Sequence, residues 1–333
     1  MKRAALLIVS TALCVVAAEP SLAYLKLGER TPDGGIVTLK WRQLPVRYFV
    51  TNRPIPGVTA QQLEQAVTRG FAAWTGAPLT ELSSQFAGFT ANEPVLQDGI
   101  TTIGFSDRPD LDRVLGFTRF LVDTRTGEII ESDIVLNSFR AWSVAQGGEA
   151  DRFDVESIAV HEVGHLFGLG HSALGETEML AGGRRVPATE AVMFPIAFSP
   201  GTTEGRSLKT DDLAGIADSY PASRFRTDRG SISGTITKSG RGVLGAHVIA
   251  FNTRTGRMVA GFTLTEDGRF VIGGLEAGPH VVRVEPLDDG DVESFFDRTT
   301  NIDANFQVKF HDRLIVVPRG GGVTNVSIAV TPK

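Results

Sequence analysis

The sequence predicts an α+β domain followed by an all-β sandwich. Three observations lead there. From Trp41 to Tyr220 short β-rich runs alternate with stretches at helical spacing, whereas after Pro221 one alternating strand follows another with glycine turns between. A polar stretch, PASRFRTDRG at 221–230, separates the two. With 333 residues, 42% hydrophobic and 21% charged, the chain has ordinary globular composition and length for two domains.

Taken in order, the chain opens on Lys2 and Arg3, an apolar run from Ala4 to Ala18 and a small-residue exit at Ser21-Leu22-Ala23. That pattern predicts a secretory signal peptide cleaved after Ala23. The run is shorter than the roughly 20 apolar residues that span a bilayer, so no membrane span is expected and the protein is read as secreted or periplasmic. The single cysteine, Cys14, lies inside this leader, so the mature chain is expected to hold together without disulfides. A net charge of −5 with no basic stripe gives nucleic-acid binding no support. The expected organisation is a signal peptide at 1–23, a first domain at 24–222, a linker at 223–229 and a sandwich at 230–333.

RYFV at 47–50 and GITTIGF at 99–105 read as strands bounded by Pro, Gly or Asp. Between them Leu63, Ala66, Val67, Gly70, Phe71 and Trp74 fall at helical spacing, and Thr59 with Gln62 forms a capping box. VLGFTRFLV and EIIESDIVL, joined across 123–127, read as a hairpin. A second helix is expected from Asp154, an N-cap residue, with Val155, Ile158, Ala159 and Leu166 as its apolar stripe. Beyond Arg229, SISGTIT, GAHVIAF, RMVAGFTL, GRFVIGGL and HVVRVEP are the sandwich strands.

The chemistry concentrates in HEVGHLFGLGHS, residues 161–172. His161 and His165 are four apart, so their imidazoles share a helix face and can both reach one Zn²⁺. The next turn of the same helix cannot supply a third ligand, because a tetrahedral ion needs approach from another direction. Gly168 and Gly170 let the chain turn back, and His171 can return to the same ion. Three neutral imidazoles leave a fourth position for water, as in a catalytic site. Glu162 lies beside that position, where it can take a proton from the water and later deliver it to a leaving amine. A site of this kind cleaves amides.

The same residues resemble the metzincin zinc proteases, whose motif H-E-x-x-H-x-x-G-x-x-H is matched at His161, Glu162, His165, Gly168 and His171. Ser172 is similar to the matrixin branch, the relatives of matrix metalloproteases. AVMFP resembles the family's methionine turn at Met193 and its M-x-P at Pro195, and LKTDDLAGIADSYP at 208–221 resembles the closing matrixin helix with its Asp211-Asp212 pair. The resemblance runs from Trp41 to Pro221. It implies a twisted five-stranded sheet with three helices, one catalytic zinc, Glu162 as general base and acid, and a protein or peptide substrate. Along an edge strand, Leu115, Gly116, Phe117 and Thr118 are expected to pair with that substrate, and Pro195 to Ala197 to wall a side-chain pocket. Relatives often carry tyrosine where Ala197 stands.

The chain departs from the family in two ways. Of its six histidines, the three outside the motif (His247, His280 and His311) fall in the sandwich, so a second, structural zinc is not expected. The stretch from Tyr24 to Trp41 is too short for a prodomain and holds no cysteine to close the zinc, so the protein is expected to be active on export or restrained by something outside this sequence, and the family role of the Asp-Asp pair in binding a new N-terminus is not expected. Ca²⁺ is a further candidate at Asp107, Asp110 and Asp112, although an exposed acidic turn explains the same residues. The later region resembles the carboxypeptidase regulatory-like, transthyretin-like sandwich, a spacer or binding module whose partner the sequence does not name. The reading of a secreted zinc endopeptidase therefore stands beside two others: a catalytically weak adhesion or binding protein that works through the sandwich, and a hydrolase of non-peptide amides.

Overall fold

The computed structural model describes residues 26–111, 114–180, 183–287, 292–296 and 300–333; the leader read at 1–23 lies outside them. Thr59 opens the first long helix with the reciprocal cap the sequence predicts. Its Oγ1 accepts from the Gln62 N–H at 3.2 Å, and Gln62 Oε1 accepts from the Thr59 N–H at 2.9 Å. Helix α1 (Ala60–Thr75) then turns Leu63, Ala66, Val67, Phe71 and Trp74 inward, all buried. Helix α2 (Val155–Leu166) starts at Asp154, whose Oδ2 accepts from the Ser157 N–H at 2.8 Å. Arg206 grips the same carboxylate with two nitrogens at 2.7 and 2.8 Å, which ties the start of α2 to a distant loop. The two helices meet at Gly70, where an added Cβ would already lie 3.4 Å from the Ala159 backbone. Trp74 locks the contact by donating its indole N–H to Val160 O at 2.7 Å.

Beneath the helices lies a five-stranded mixed sheet. Its strands are β1 (Val46–Thr51), β2 (Ser84–Thr90), β3 (Thr101–Ser106), β4 (Gly116–Asp123) and β5 (Glu128–Asn137), in spatial order β2-β1-β3-β5-β4. All neighbours are parallel except β4, which returns antiparallel to β5 through the hairpin read in the sequence. This leaves β4 as an edge strand beside α2. Tyr48, Val50, Ile103, Ile134 and Leu136 of the sheet pack with Leu63, Phe71, Trp74, Val160 and Val163 of the helices into one core. Burial of these side chains, at about 25 cal/mol per Å² of apolar surface, is what holds the layers together.

The chain between the third histidine and the methionine turn carries a hairpin that periodicity alone does not reveal, β6 (Gly175–Leu180) with β7 (Gly183–Thr189). Helix α3 (Thr210–Ser219) follows. The segment read as linker winds into a single turn, α4 (Phe225–Asp228), with Phe225 buried. One aromatic among polar neighbours carries no periodic signal, so the sequence reads only as a polar boundary.

In the later region β8 (Gly230–Lys238) pairs antiparallel with β11 (Arg269–Leu275) and parallel with the final strand, β13 (Gly322–Val330). The facing sheet is built on β9 (His247–Asn252), flanked by β10 (Met258–Phe262) and β12 (Gly278–Glu285). Alternating residues such as Ile232, Ile236, Val248, Phe270, Val282 and Ile328 fill the space between. Ala214 of α3 belongs to this same core cluster, so the sandwich packs directly against the first domain.

One buried carboxylate sits uneasily in the sheet. Asp133 on β5 accepts from the Thr102 N–H at 2.8 Å through Oδ1, while Oδ2 has no hydrogen-bond partner among the described residues. Burial raises its pKa to about 7, and nearby Glu131 adds to the effect. Because the folded value lies above the unfolded one, the cost of keeping this group in the fold grows from about pH 4 to pH 7 and then levels. Asp133→Asn is therefore expected to stabilise the metal-free protein more at pH 8 than at pH 5. The difference should change by at most about 1.4 kcal/mol per pH unit, measured by denaturant unfolding across that range.

Candidate metal centre

Helix α2 carries His161 and His165 one turn apart, with ring centroids separated by 4.8 Å. The helix stops at Phe167, and Gly168 turns the chain with φ +91°. A Cβ at Gly168 would lie 2.2 Å from Leu39 O, so both the backbone angle and the neighbour demand glycine. The chain then returns, and the His171 ring settles 4.7 Å from His165 and 5.4 Å from His161. Of the two glycines read as making the turn, Gly168 takes the left-handed angle and Gly170 does not.

Each ring is oriented by a backbone carbonyl. Nδ1 of His161 donates to Val192 O at 2.8 Å, Nδ1 of His165 to Leu169 O at 2.8 Å, and Nδ1 of His171 to Ser294 O at 2.6 Å. A carbonyl oxygen has no proton to give, so Nδ1 carries the hydrogen and Nε2 is left with a lone pair. Burial disfavours the protonated rings: all three pKa values lie below the ordinary histidine value, His171 at about 3, with the neighbouring imidazoles adding to the effect at His165 and His171. Two such neutral nitrogens, Nε2 of His165 and Nε2 of His171, nevertheless face one another at 3.1 Å. Lone pairs this close repel unless a cation lies between them. At 3.1 Å, Nε2 of His165 and of His171 stand close to the roughly 3.3 Å that two zinc–nitrogen bonds of about 2.0–2.1 Å span in a tetrahedron, and all three ligand atoms lie within 4.8 Å of one another, so the donor set suits a zinc ion once the rings draw together.

Glu162 points between the helix and the edge strand. It is buried, which raises its pKa to about 7 against the opposing pull of a hydrogen bond from Thr118 Oγ1 to its Oε2 at 2.8 Å. Gly116 leaves room for the other oxygen, since a Cβ there would stand 3.0 Å from Glu162 Oε1. Gly116 and Thr118 are two apart on β4 and so share its inward face. That parity is the signal by which Thr118 could have been read as a partner of Glu162 rather than only as part of a substrate-binding edge. Leu115 and Gly116 are half-buried, and Phe117 and Thr118 are buried.

The floor of the site is the turn bearing Met193. Asp212 of α3 accepts from the Val192 N–H at 2.8 Å and the Met193 N–H at 3.1 Å, and Met193 O in turn accepts from the Ser172 N–H at 2.9 Å. Met193 fits only because Gly164 has no side chain: a Cβ there would meet its sulfur at 2.3 Å. Pro195 is half-buried and Ala197 exposed beyond this turn. The remaining sequence candidates stay apart from the centre. Both oxygens of Asp110 are taken by Arg108, and Asp112 lies outside the described residues. His247 bonds Glu285, His280 bonds Gly278 O, and His311 bonds Arg313 O. The carbonyl of Ser294 left no trace in the sequence, because any residue type carries one.

Three imidazoles converge from a helix and its returning turn, with a buried carboxylate between the first two in the chain, and together they form a cluster that could hold one metal ion. The sequence model of the Matrixin family matches residues 40–221, more than half of the chain, and the chain belongs to that family. A Carboxypeptidase regulatory-like domain matches residues 231–293. Among curated proteins, Metalloendoproteinase 5-MMP of Arabidopsis thaliana is 30% identical over 48% of this chain and 39% of its own length. Metalloendoproteinase 1-MMP of the same plant is 26% identical over 57% of this chain and 47% of its own. The chain therefore spans less than half the length of these relatives. Among solved structures, a minor pilin of Streptococcus agalactiae overlaps 32% of this chain and 45% of its own at 13% identity, and its TM-score of 0.22 is too low to bear on the fold.

Gly168→Ala combines a disfavoured backbone angle with a backbone clash, and is expected to destabilise the protein by at least about 1–3 kcal/mol. Thermal melting should record the loss, and histidine ring resonances should record the displacement of His171.

Proposed function

We propose that the protein is an exported zinc endopeptidase, with a signal peptide at 1–23, a catalytic domain at 24–222, a short connection at 223–229 and the sandwich at 230–333. The observation that carries this reading is the pair of neutral nitrogens facing each other at 3.1 Å beside a buried carboxylate. Membership of the Matrixin family and the metalloendoproteinase names of its relatives support it. No helix among the described residues is long and apolar enough to cross a membrane.

In this reading Nε2 of His161, His165 and His171 hold zinc, with Gly168 turning the chain and Met193 and Pro195 forming the floor. The bound ion supplies a positive charge that polarises a scissile carbonyl and acidifies water. Glu162 does the proton work. Oε2 is tethered by Thr118, so Oε1 takes a proton from the attacking water and then passes it to the leaving amine nitrogen. The outer edge of β4 at Leu115, Gly116, Phe117 and Thr118, which pairs with no further strand among the described residues, offers backbone groups to an extended peptide, and Ala197 borders the pocket for the side chain after the scissile bond.

The test is cleavage of a generic protein substrate with and without chelator. Activity should vanish with chelator and return with zinc, and Glu162→Gln should lower kcat by roughly 10²–10⁴-fold while zinc stays bound. A wild-type protein that binds one zinc and cleaves no peptide would overturn the enzyme reading. Thr118→Val removes one hydrogen bond to a charged group and should lower kcat roughly tenfold with little change in KM, and Thr118→Ser should restore it.

A further inference from the structure

Two of the three histidines are oriented by carbonyls of the first domain. Leu169 lies four residues beyond His165, and Val192 belongs to the methionine turn. The third is different: the acceptor for His171 is Ser294 O, supplied from the sandwich region 123 residues along the chain. Resting on the zinc reading above, we infer that the sandwich is a working part of the metal centre, with Ser294 as the positioning residue for His171.

Three independent contacts converge on the few residues around His171. The first is the Ser294 bond itself, the shortest of the three histidine–carbonyl bonds at 2.6 Å. The second runs through Asp211 at the start of α3. Its Oδ1 accepts from the Ala260 N–H of β10 at 2.9 Å, and its Oδ2 accepts from Ser172 Oγ at 2.7 Å, so a sandwich strand steadies the residue directly after His171. β10 lies at the edge of its sheet, which leaves that N–H free for the bond. The third is apolar: Ala173 packs in one cluster with Phe262, Leu287, Phe295 and Phe296, and the Phe295 ring stands edge-on to His171 with centroids 6.3 Å apart.

The chemical consequence lies in the tautomer. His171 is buried, so without Ser294 O its Nδ1–H would have no acceptor in the contacts seen here, and the proton could move to Nε2. Nε2 would then donate a hydrogen where a ligand lone pair is needed. An outer hydrogen-bond partner of this kind is worth roughly tenfold to a hundredfold in metal affinity. A spacer joined end to end would have no such effect, because it would touch neither the ring nor Asp211.

The test uses the full chain. Phe295→Ala removes the buried ring next to Ser294 in the chain, which anchors this segment in its apolar cluster and stands edge-on to His171, and Phe295→Leu is a milder change for use should the first fail to fold. Phe306→Ala empties a buried site in the separate inner core of the sandwich and controls for general loss of packing. Zinc affinity is measured by competition with a chromophoric chelator, and the ring N–H signals by NMR of protein carrying ¹⁵N-labelled histidine. The Phe295 variants should hold zinc roughly tenfold to a hundredfold more weakly and lose the Nδ1–H signal of His171, while keeping those of His161 and His165. Phe306→Ala should hold zinc as the wild type does. Unchanged affinity in a folded Phe295 variant, or an equal loss in Phe306→Ala, overturns the inference. Failure of the wild type itself to bind zinc instead overturns the metal reading and takes the inference with it.

Discussion

The centre depends on one repeated interaction, a neutral imidazole N–H held by a backbone carbonyl. Three such bonds, to Val192, Leu169 and Ser294, put the proton on Nδ1 and leave three Nε2 lone pairs facing a common point. Much of the surrounding structure serves to deliver those carbonyls. The sharp turn at Gly168 brings Leu169 O beneath His165, and Asp212 holds the methionine turn so that Val192 O meets His161. Burial acts in the same direction, since it disfavours the protonated rings that could not bind a cation.

Glu162 and Asp212 are both buried carboxylates raised by desolvation, yet their surroundings differ. Asp212 is ringed by backbone donors from Val192, Met193 and Lys209, which makes it an anchor. Glu162 has one hydroxyl on one oxygen and a glycine opposite the other, which leaves that oxygen able to exchange a proton. Two buried carboxylates thus differ according to how many donors surround them: Asp212 is fixed as scaffold, whereas Glu162 keeps one oxygen for the proton transfers proposed above.

Much was legible in the chain. Helix α1 and its reciprocal cap, the Asp154 cap of α2, the hairpin of β4 and β5 and the alternating strands of the sandwich all rest on short-range patterns, and each stands where those patterns put it. The hairpin of β6 and β7 was not legible, because its strands, GETEML and GRRVPAT, lack clear alternation and the second contains a proline. Thr118 was half legible: the edge strand is readable, but which hydroxyl meets Glu162 depends on how β4 lies beside α2.

The sequence by itself picked out the three histidines that converge, because helical spacing and glycine conformation are properties of neighbouring residues and persist wherever the segment is placed. It determined likewise that an α+β region precedes a β-rich one. Only the tertiary structure decided what orients the third histidine. Every residue possesses a carbonyl like that of Ser294, and every residue but proline an N–H like that of Ala260, so no side-chain pattern could announce them. Their meeting with His171 and Asp211 follows from how the sandwich packs on α3 and on the chain after the motif, a long-range event decided by the fit of whole surfaces.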